Sequence, residues 1–196
     1  MKKFKLTMIT AIAALFCVGS VSAQEIQLGV KAGANLSTFG GDMKKTNSVF
    51  KYQFGITADI GLTENVYIIT GLDFQTKGTK QKPKGAHDVK YNPMYLQLPV
   101  HAGYKFDIAP RTRLVVEAGP YIAYGIGGKA KGEGKVNIFG DDRFKRFDFG
   151  VGAGVGVEFG KIVVKSGYDF GLINVSDVKG VKVRNNNAYL TLGYKF

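Results

Sequence analysis

Apolar and polar residues alternate along most of the chain from Ile26 onward, and no window of useful length shows a helical period. In the first window, Ile26, Leu28 and Val30 alternate with polar residues or glycine. A period of two places successive side chains on opposite faces of a β-strand. Each window approaches or exceeds the roughly 9–11 residues of a tilted membrane-spanning strand. Eight windows follow this pattern: residues 26–36, 50–62, 66–76, 94–106, 114–124, 147–159, 162–172 and 188–196.

Short and long connections alternate between these predicted strands. The three short connections are residues 63–65, 107–110 and 159–160, and the four long polar ones are residues 38–48, 77–91, 125–146 and 174–184. An up-and-down antiparallel barrel, with short turns at one rim and long loops at the other, has this rhythm. The sequence therefore predicts an all-β chain that folds as an eight-stranded antiparallel up-and-down β-barrel.

The positions of glycine and of aromatic residues indicate which face of the barrel is outside. Glycines such as Gly152, Gly154 and Gly156 lie on the polar face, and an eight-stranded barrel has room inside only for packed side chains. Aromatic residues such as Phe50 and Phe147 lie near the strand ends of the apolar face, which is typical of an interfacial girdle. Both features predict a transmembrane barrel with its apolar face in lipid. The alternative is a soluble periplasmic lipocalin-like carrier with an apolar interior.

The N-terminal segment has the composition of a targeting signal. Three lysines within the first five residues precede an apolar stretch, and small residues lead to Ala23. This order predicts a secretory signal peptide over residues 1–23 and a single barrel domain over residues 24–196. The only cysteine, Cys17, lies in the predicted signal peptide, so disulfide scaffolds and cysteine-ligated zinc are excluded.

Several segments are similar to those of a known family: the export signal, the run Tyr95-Leu96-Gln97-Leu98-Pro99-Val100, the glycine-alternating segment 149–159 and the terminal Tyr194-Lys195-Phe196. The chain resembles the small outer-membrane β-barrel domain family, the porin-like outer membrane proteins of Gram-negative bacteria. The resemblance implies a location in the cell outer membrane. Leu192, Tyr194 and Phe196 resemble the C-terminal signal that the barrel insertion machinery reads. The family has no common catalytic set, so the resemblance implies architecture rather than activity.

The polar face carries charges of both signs in near balance. Charged side chains removed from water need partners, so we expect an ion-pair network that plugs the lumen. Glu158 and Lys161, which flank a two-residue turn, form the best-supported pair. The alternative is a narrow porin for small solutes, although wide channels belong to barrels of about 16–18 strands. The predicted network comprises Lys31, Asp59, Asp73, His101, Arg113, Glu117, Asp148, Glu158, Lys165 and Asp169.

The net charge of +12, taken alone, would suggest nucleic acid, a membrane surface or an acidic ligand. The four long connections carry +10 of it, so the excess forms a basic collar on the loops and no nucleic-acid partner is expected. We expect outer-membrane lipid around the barrel, and we expect the collar to contact lipopolysaccharide phosphates or another anionic surface polymer. The predicted contact residues are Lys77, Lys80, Lys82, Lys84, Lys90, Arg143, Lys145 and Arg146.

Few residues of the chain have the chemistry of a catalytic or metal site. Only two histidines exist, and His87-Asp88 lies in a polar loop with no serine or further acid spaced to complete a site. Two histidines, and one cysteine in the predicted signal peptide, are too few to predict a metal site. We therefore expect no enzymatic activity, no metal and no cofactor, and we expect a monomer with a structural or surface-interaction role.

Overall fold

A computed structural model describes residues 25–42, 46–81, 89–131, 135–139, 144–178 and 180–196. The predicted signal peptide, residues 1–23, lies outside these residues. No helix in the described part of the chain is long and apolar enough to cross a membrane. The described residues contain eleven strands: β1 (Ile26–Gly41), β2 (Thr46–Asn47), β3 (Val49–Gly61), β4 (Val66–Thr76), β5 (Thr79–Gln81), β6 (Val89–Ala109), β7 (Thr112–Lys131), β8 (Lys135–Asn137), β9 (Phe147–Phe159), β10 (Ile162–Gly171) and β11 (Val183–Lys195).

Eight of these strands close into a ring. In the order β1, β3, β4, β6, β7, β9, β10, β11, each strand pairs antiparallel with the next, and β11 pairs with β1. Ala32 on β1, for example, lies opposite both Phe54 on β3 and Leu192 on β11. The predicted eight-stranded up-and-down barrel is confirmed. Closure leaves no strand of the ring at an open edge.

The apolar face of the ring lies outside and the polar face lies inside. Phe54 is 52% exposed and Leu192 is 60% exposed, whereas Asp59 and Glu158 are each 3% exposed. The predicted orientation is therefore confirmed. The soluble carrier is wrong, because such a carrier needs the apolar residues inside.

Several strands extend well beyond the windows of strict alternation. β6 has 21 residues and β7 has 20, and the short strands β2, β5 and β8 add to the same end of the barrel. Outward positions beyond the apolar band can be polar, so the sequence alternation stops there although the strand continues. For this reason parts of the predicted long loops are strand in the structure.

One irregularity in β7 changes which face its last residues occupy. The register between β6 and β7 moves by one residue between Met94 and Tyr95, so Ile126 has no opposite residue. An extra residue of this kind reverses the faces of all the residues that follow it. Lys129 and Lys131 consequently lie on the outside of the barrel, where both are exposed.

Both ends of the described chain lie beside the short turns. The Gly61 amide donates to the Glu25 carbonyl at 3.1 Å, and the Lys195 amide donates to the Lys161 carbonyl at 2.8 Å. Gly160 adopts a φ of +55° in the turn before β10, a conformation that glycine accepts without strain. We call this end of the barrel the turn end and the opposite end the loop end.

Apolar side chains fill the interior of the loop end. The long connections were predicted as polar, yet Ile138 and Phe139 are 1% and 8% exposed and Val175 is fully buried. Isolated apolar residues among glycines and charges carry no periodic signal, so sequence patterns do not reveal them. Two clusters result, and Tyr91 and Phe144 pack against both: one of Tyr95, Tyr121, Ala123, Ile138 and Phe139, and one of Phe39, Val175 and Val183.

Candidate functional site

Five charged residues form a compact ion-pair cluster inside the turn end. Asp59 Oδ2 accepts hydrogen bonds from Lys105 Nζ and Lys195 Nζ, each at 2.6 Å. Glu158 contacts the same two ammonium groups, and its Oε1 lies 3.2 Å from Lys105 Nζ. Its other oxygen, Oε2, lies 3.0 Å from Arg113 Nη2. We call these five residues the turn-end cluster. It brings together three residues of the predicted network, Asp59, Arg113 and Glu158, with two lysines that alternation also places on the polar face of their strands.

The predicted pairing of Glu158 with Lys161 is wrong. The register places Glu158 opposite Val163, whereas Lys161 occupies the turn itself, where alternation does not apply. Lys161 is exposed, and its Nζ lies 5.8 Å from the centroid of the Tyr194 ring. Three cations that are distant in sequence surround Glu158 instead.

The middle of the lumen holds two further ion pairs. Lys31 Nζ lies 2.9 Å from Asp73 Oδ2. Glu117 accepts from Lys165 Nζ at 2.5 Å, and its other oxygen lies 3.3 Å from His101 Nδ1. These five residues were all predicted for the lumen. His101 therefore lies against a carboxylate, as expected of a buried polar group.

The remaining predicted lumen residues lie nearer the loop end, in a layer built around Lys77. Lys77 Nζ donates to Gln97 Oε1 at 2.9 Å and lies 3.4 Å from Asp148 Oδ2. Asn185 Nδ2 also donates to Asp148, at 2.9 Å, and Gln97 Nε2 donates to Asp169 at 3.0 Å. We call these five residues the upper layer. It links Asp148 on β9 and Asp169 on the neighbouring β10 to Lys77 and Gln97 across the lumen.

The prediction that Lys77 contacts an anion outside the cell is wrong. Lys77 is fully buried, and its Nζ lies 5.3 Å and 4.8 Å from the ring centroids of Tyr95 and Tyr121. The alternation of β4, continued by two residues past Gln75, puts Lys77 on the inner face. The continuing alternation therefore indicates the position of Lys77, although the residue lies in a segment that the sequence predicts as a loop.

Two cavities lined by described residues lie between these layers, and both are small. One cavity beside Asp73 and Gln75 has a volume of about 20 Å³, and another beside Asp59 and Lys195 has a similar volume. Such a volume holds about one water molecule. Among the described residues, Asp73 Oδ1, Gln53 Oε1 and Gln75 Oε1 are buried without a hydrogen-bond partner, which suits a single ordered water at this level.

The predicted rim residues have different surroundings. Lys90 and Lys145 are exposed and Lys80 is half-buried. Arg146 donates from Nη1 to the Gly125 carbonyl at 2.8 Å, and its guanidinium carbon lies 5.2 Å from the Phe139 ring centroid. Lys82, Lys84 and Arg143 lie outside the described residues, as does His87-Asp88.

The last strand presents the predicted insertion signal on its outer face. Leu192, Tyr194 and Phe196 are 60%, 45% and 67% exposed. The Phe196 amide donates to the Leu28 carbonyl at 2.9 Å, so the signal residues continue the pairing between β11 and β1. No group of three or more potential metal ligands among His, Cys, Asp and Glu occurs in the parts of the chain that the structure describes.

Solved structures of three outer-membrane proteins are similar to this chain. The outer membrane protein OprG from Pseudomonas aeruginosa has a TM-score of 0.50 at 12% identity, over 88% of this chain and 97% of that chain. Neisserial surface protein A has a TM-score of 0.49 at 17% identity, over 86% and 97%. Ail, the attachment invasion locus protein of Yersinia pestis, has a TM-score of 0.47 at 16% identity, over 88% and 99%.

The likeness to OprG shows the fold alone. No curated protein sequence matches the chain. The family model described as outer membrane protein beta-barrel domain matches residues 22–177, which is most of the chain. The chain has a closed ring with an apolar outside and a charged interior, and it belongs to this outer membrane protein β-barrel domain family. The protein is located in the cell outer membrane.

Proposed function

We propose that the protein is an integral outer-membrane barrel with a plugged polar lumen and a structural or surface-interaction role. The observation that carries this proposal is the succession of ion-paired layers inside the ring. The turn-end cluster, the middle pairs around Asp73 and Glu117, and the upper layer follow one another along the lumen. A solute would have to displace all of them.

The energetics of buried charge favour a closed lumen. Removing one partner from a buried ion pair costs about 3–5 kcal/mol, because the other charge stays behind unpaired. Lys105 is fully buried beneath Asp59 and Glu158, and Lys77 is fully buried beside Asp148. A water-filled path through this interior requires several such pairs to separate together. The apolar clusters at the loop end add a further barrier to water.

Conductance in planar lipid bilayers tests the plugged lumen against the narrow porin. The purified barrel is reconstituted beside a 16-stranded porin as positive control. We expect no sustained stepwise conductance from this protein, and stable steps at each insertion would favour the porin. Heat-modifiable gel migration of the same sample checks that the barrel is folded. We expect no enzymatic activity from it.

The basic rim supports a second part of the proposal, which is contact with anions outside the cell. In this arrangement the turn end faces the periplasm, and the loop end carries Lys80, Lys90, Lys145 and Arg146 toward lipopolysaccharide phosphates or another anionic polymer. Exposed cations clustered at one end raise the local concentration of anions. Retention on immobilised lipopolysaccharide should fall as salt rises. Binding that is absent even at low salt would contradict this part of the proposal.

Assembly completes the proposal. The barrel insertion machinery would read Leu192, Tyr194 and Phe196, which lie together on the outside of β11. The ring of eight strands closes within one chain, so the barrel needs no strand from a second chain, and we propose that it functions as a monomer.

A further inference from the structure

Lysines lie directly opposite one another across the strands that rise from the loop end. The register pairs Lys80 on β5 with Lys90 on β6, and Lys90 with Lys131 on β7. Lys129, two residues before Lys131, lies opposite Asn92. Directly opposite residues of an antiparallel pair share one face, at about 4.5–5.5 Å between Cβ atoms. We call Lys80, Lys90, Lys129 and Lys131 the lysine ladder.

Lys90 and Lys131 repel each other in this arrangement. Like charges directly opposite one another destabilise a strand pair. Lys51 adds to the repulsion, because Lys90 and Lys131 act on its charge electrostatically and its Nζ donates to Asn92 Oδ1. Among the described residues, no carboxylate lies within ion-pair distance of Lys90, Lys129 or Lys131.

The ladder faces sideways, toward the membrane, rather than upward into solvent. Lys90 shares the outer face of β6 with Met94 and Leu96, which begin the apolar band. At about 3.3 Å per residue, Lys90 lies about 13 Å along the strand above Met94, and Lys129 lies about half as far above it. Because the strands tilt by about 35–45°, these rises correspond to about 10 Å and 5 Å along the membrane normal. The polar layer is about 5–8 Å thick on each side of the hydrocarbon, so Lys129 lies among the headgroups and Lys90 at their outer surface.

We infer that the lysine ladder is a binding site for the phosphates of anionic lipid headgroups in the outer leaflet, such as those of lipopolysaccharide. This inference rests on the anion contact proposed above and gives it a place on the barrel. A row of ammonium groups about one strand spacing apart matches a ligand that carries more than one phosphate. The bound phosphates neutralise the repulsion between Lys90 and Lys131.

The test compares two variants that each remove three positive charges from the loop end. The ladder variant is Lys90→Gln, Lys129→Gln and Lys131→Gln. The control variant is Lys145→Gln, Lys182→Gln and Arg184→Gln, whose residues are exposed and lie on the side of β10, β11 and β1. Each folded barrel in detergent is titrated with lipopolysaccharide, with dephosphorylated lipopolysaccharide and with soluble inorganic polyphosphate.

We expect the ladder variant to bind lipopolysaccharide about 100-fold more weakly than the native protein, from three lysines near an anionic surface. The control variant should lose less than about tenfold, and dephosphorylated lipopolysaccharide should not distinguish the variants. Equal losses in both variants would overturn the ladder but leave the general rim contact standing. No binding by the native protein would contradict the proposed anion contact itself. Equally tight binding of polyphosphate would overturn the assignment to membrane lipid.

Stability provides a second readout, because the difference in stability between the ladder variant and the native barrel should change sign when lipopolysaccharide is added. In detergent without lipopolysaccharide, the ladder variant should unfold at a higher urea concentration than the native barrel, because the lysine repulsion is gone. With lipopolysaccharide present, the native barrel should be the more stable of the two, because ligand binding stabilises the folded state. An unchanged order in both conditions would contradict a phosphate site at the ladder.

Discussion

Single residues in the lumen show what alternation can and cannot predict. The inner face of each strand follows from the period of two, so Asp59, Glu158 and Arg113 could be assigned to the lumen from sequence. Their partners could not, because face alone says nothing about the register or height at which two strands meet. Lys105 and Lys195 reach Asp59 across 46 and 136 residues of chain.

Glu158 should be the most sensitive member of the turn-end cluster. Glu158→Gln keeps the shape but leaves Lys105, Lys195 and Arg113 to share the single charge of Asp59. The free energy of unfolding should fall by about 3 kcal/mol, the cost of breaking a buried ion pair. Urea unfolding in lipid vesicles measures it. Lys161→Gln is the matched control and should change little, and a larger loss from Lys161→Gln would restore the pairing predicted from sequence.

The ring strands show which part of each element alternation can predict. The core of every ring strand was predicted, because inside and outside differ in polarity there. The segments of β6 and β7 near the loop end were not predicted. Both faces can be polar there, because water replaces lipid on the outside, and the sequence no longer alternates. The register shift at Ile126 also left no sequence signal, and with it the outward position of Lys129 and Lys131 was missed.

Strand β9 should tolerate larger side chains on its outer face but not at the glycines of its inner face. A Cβ at Gly152 would lie 2.8 Å from Asp169 Oδ1 and 3.0 Å from His101 Nε2. Gly152→Val should therefore lower the free energy of unfolding by about 1–3 kcal/mol through overpacking. Ala153→Val, on the exposed outer face, is the control and should be nearly neutral. Similar urea midpoints for both variants would show that the lumen beside Gly152 has room to spare.

At the scale of the whole molecule, the fold was predictable because eight strands of suitable length and alternating connections admit few arrangements. The apolar outside and charged inside then follow from the surrounding lipid. The filling of the loop end was not predictable, because Ile138, Phe139 and Val175 meet only after the long connections fold inward.

A charge on the outside of the barrel should cost more near the middle of the membrane than at its edge. Val155→Arg, near the middle of β9, should lower the free energy of unfolding by about 2–4 kcal/mol. Ile26→Arg, at the turn end of β1, should cost about 0–1 kcal/mol. Urea unfolding in lipid vesicles compares the two variants, and equal costs would contradict a hydrocarbon band centred on the ring.

The pairing of β1 with β11 also determines when the barrel can form. On this edge of β1, residues Gly29 to Gly41 pair with Val183 to Lys195, and the hydrogen bond from Ser37 to Asn186 spans 149 positions. Until β11 arrives, β1 has an unpaired edge that can recruit strands of other chains. Contacts so distant in sequence form slowly. The edge of β1 therefore stays open to aggregation until the last step of assembly. A protein that shields this edge would favour closure of the barrel over aggregation.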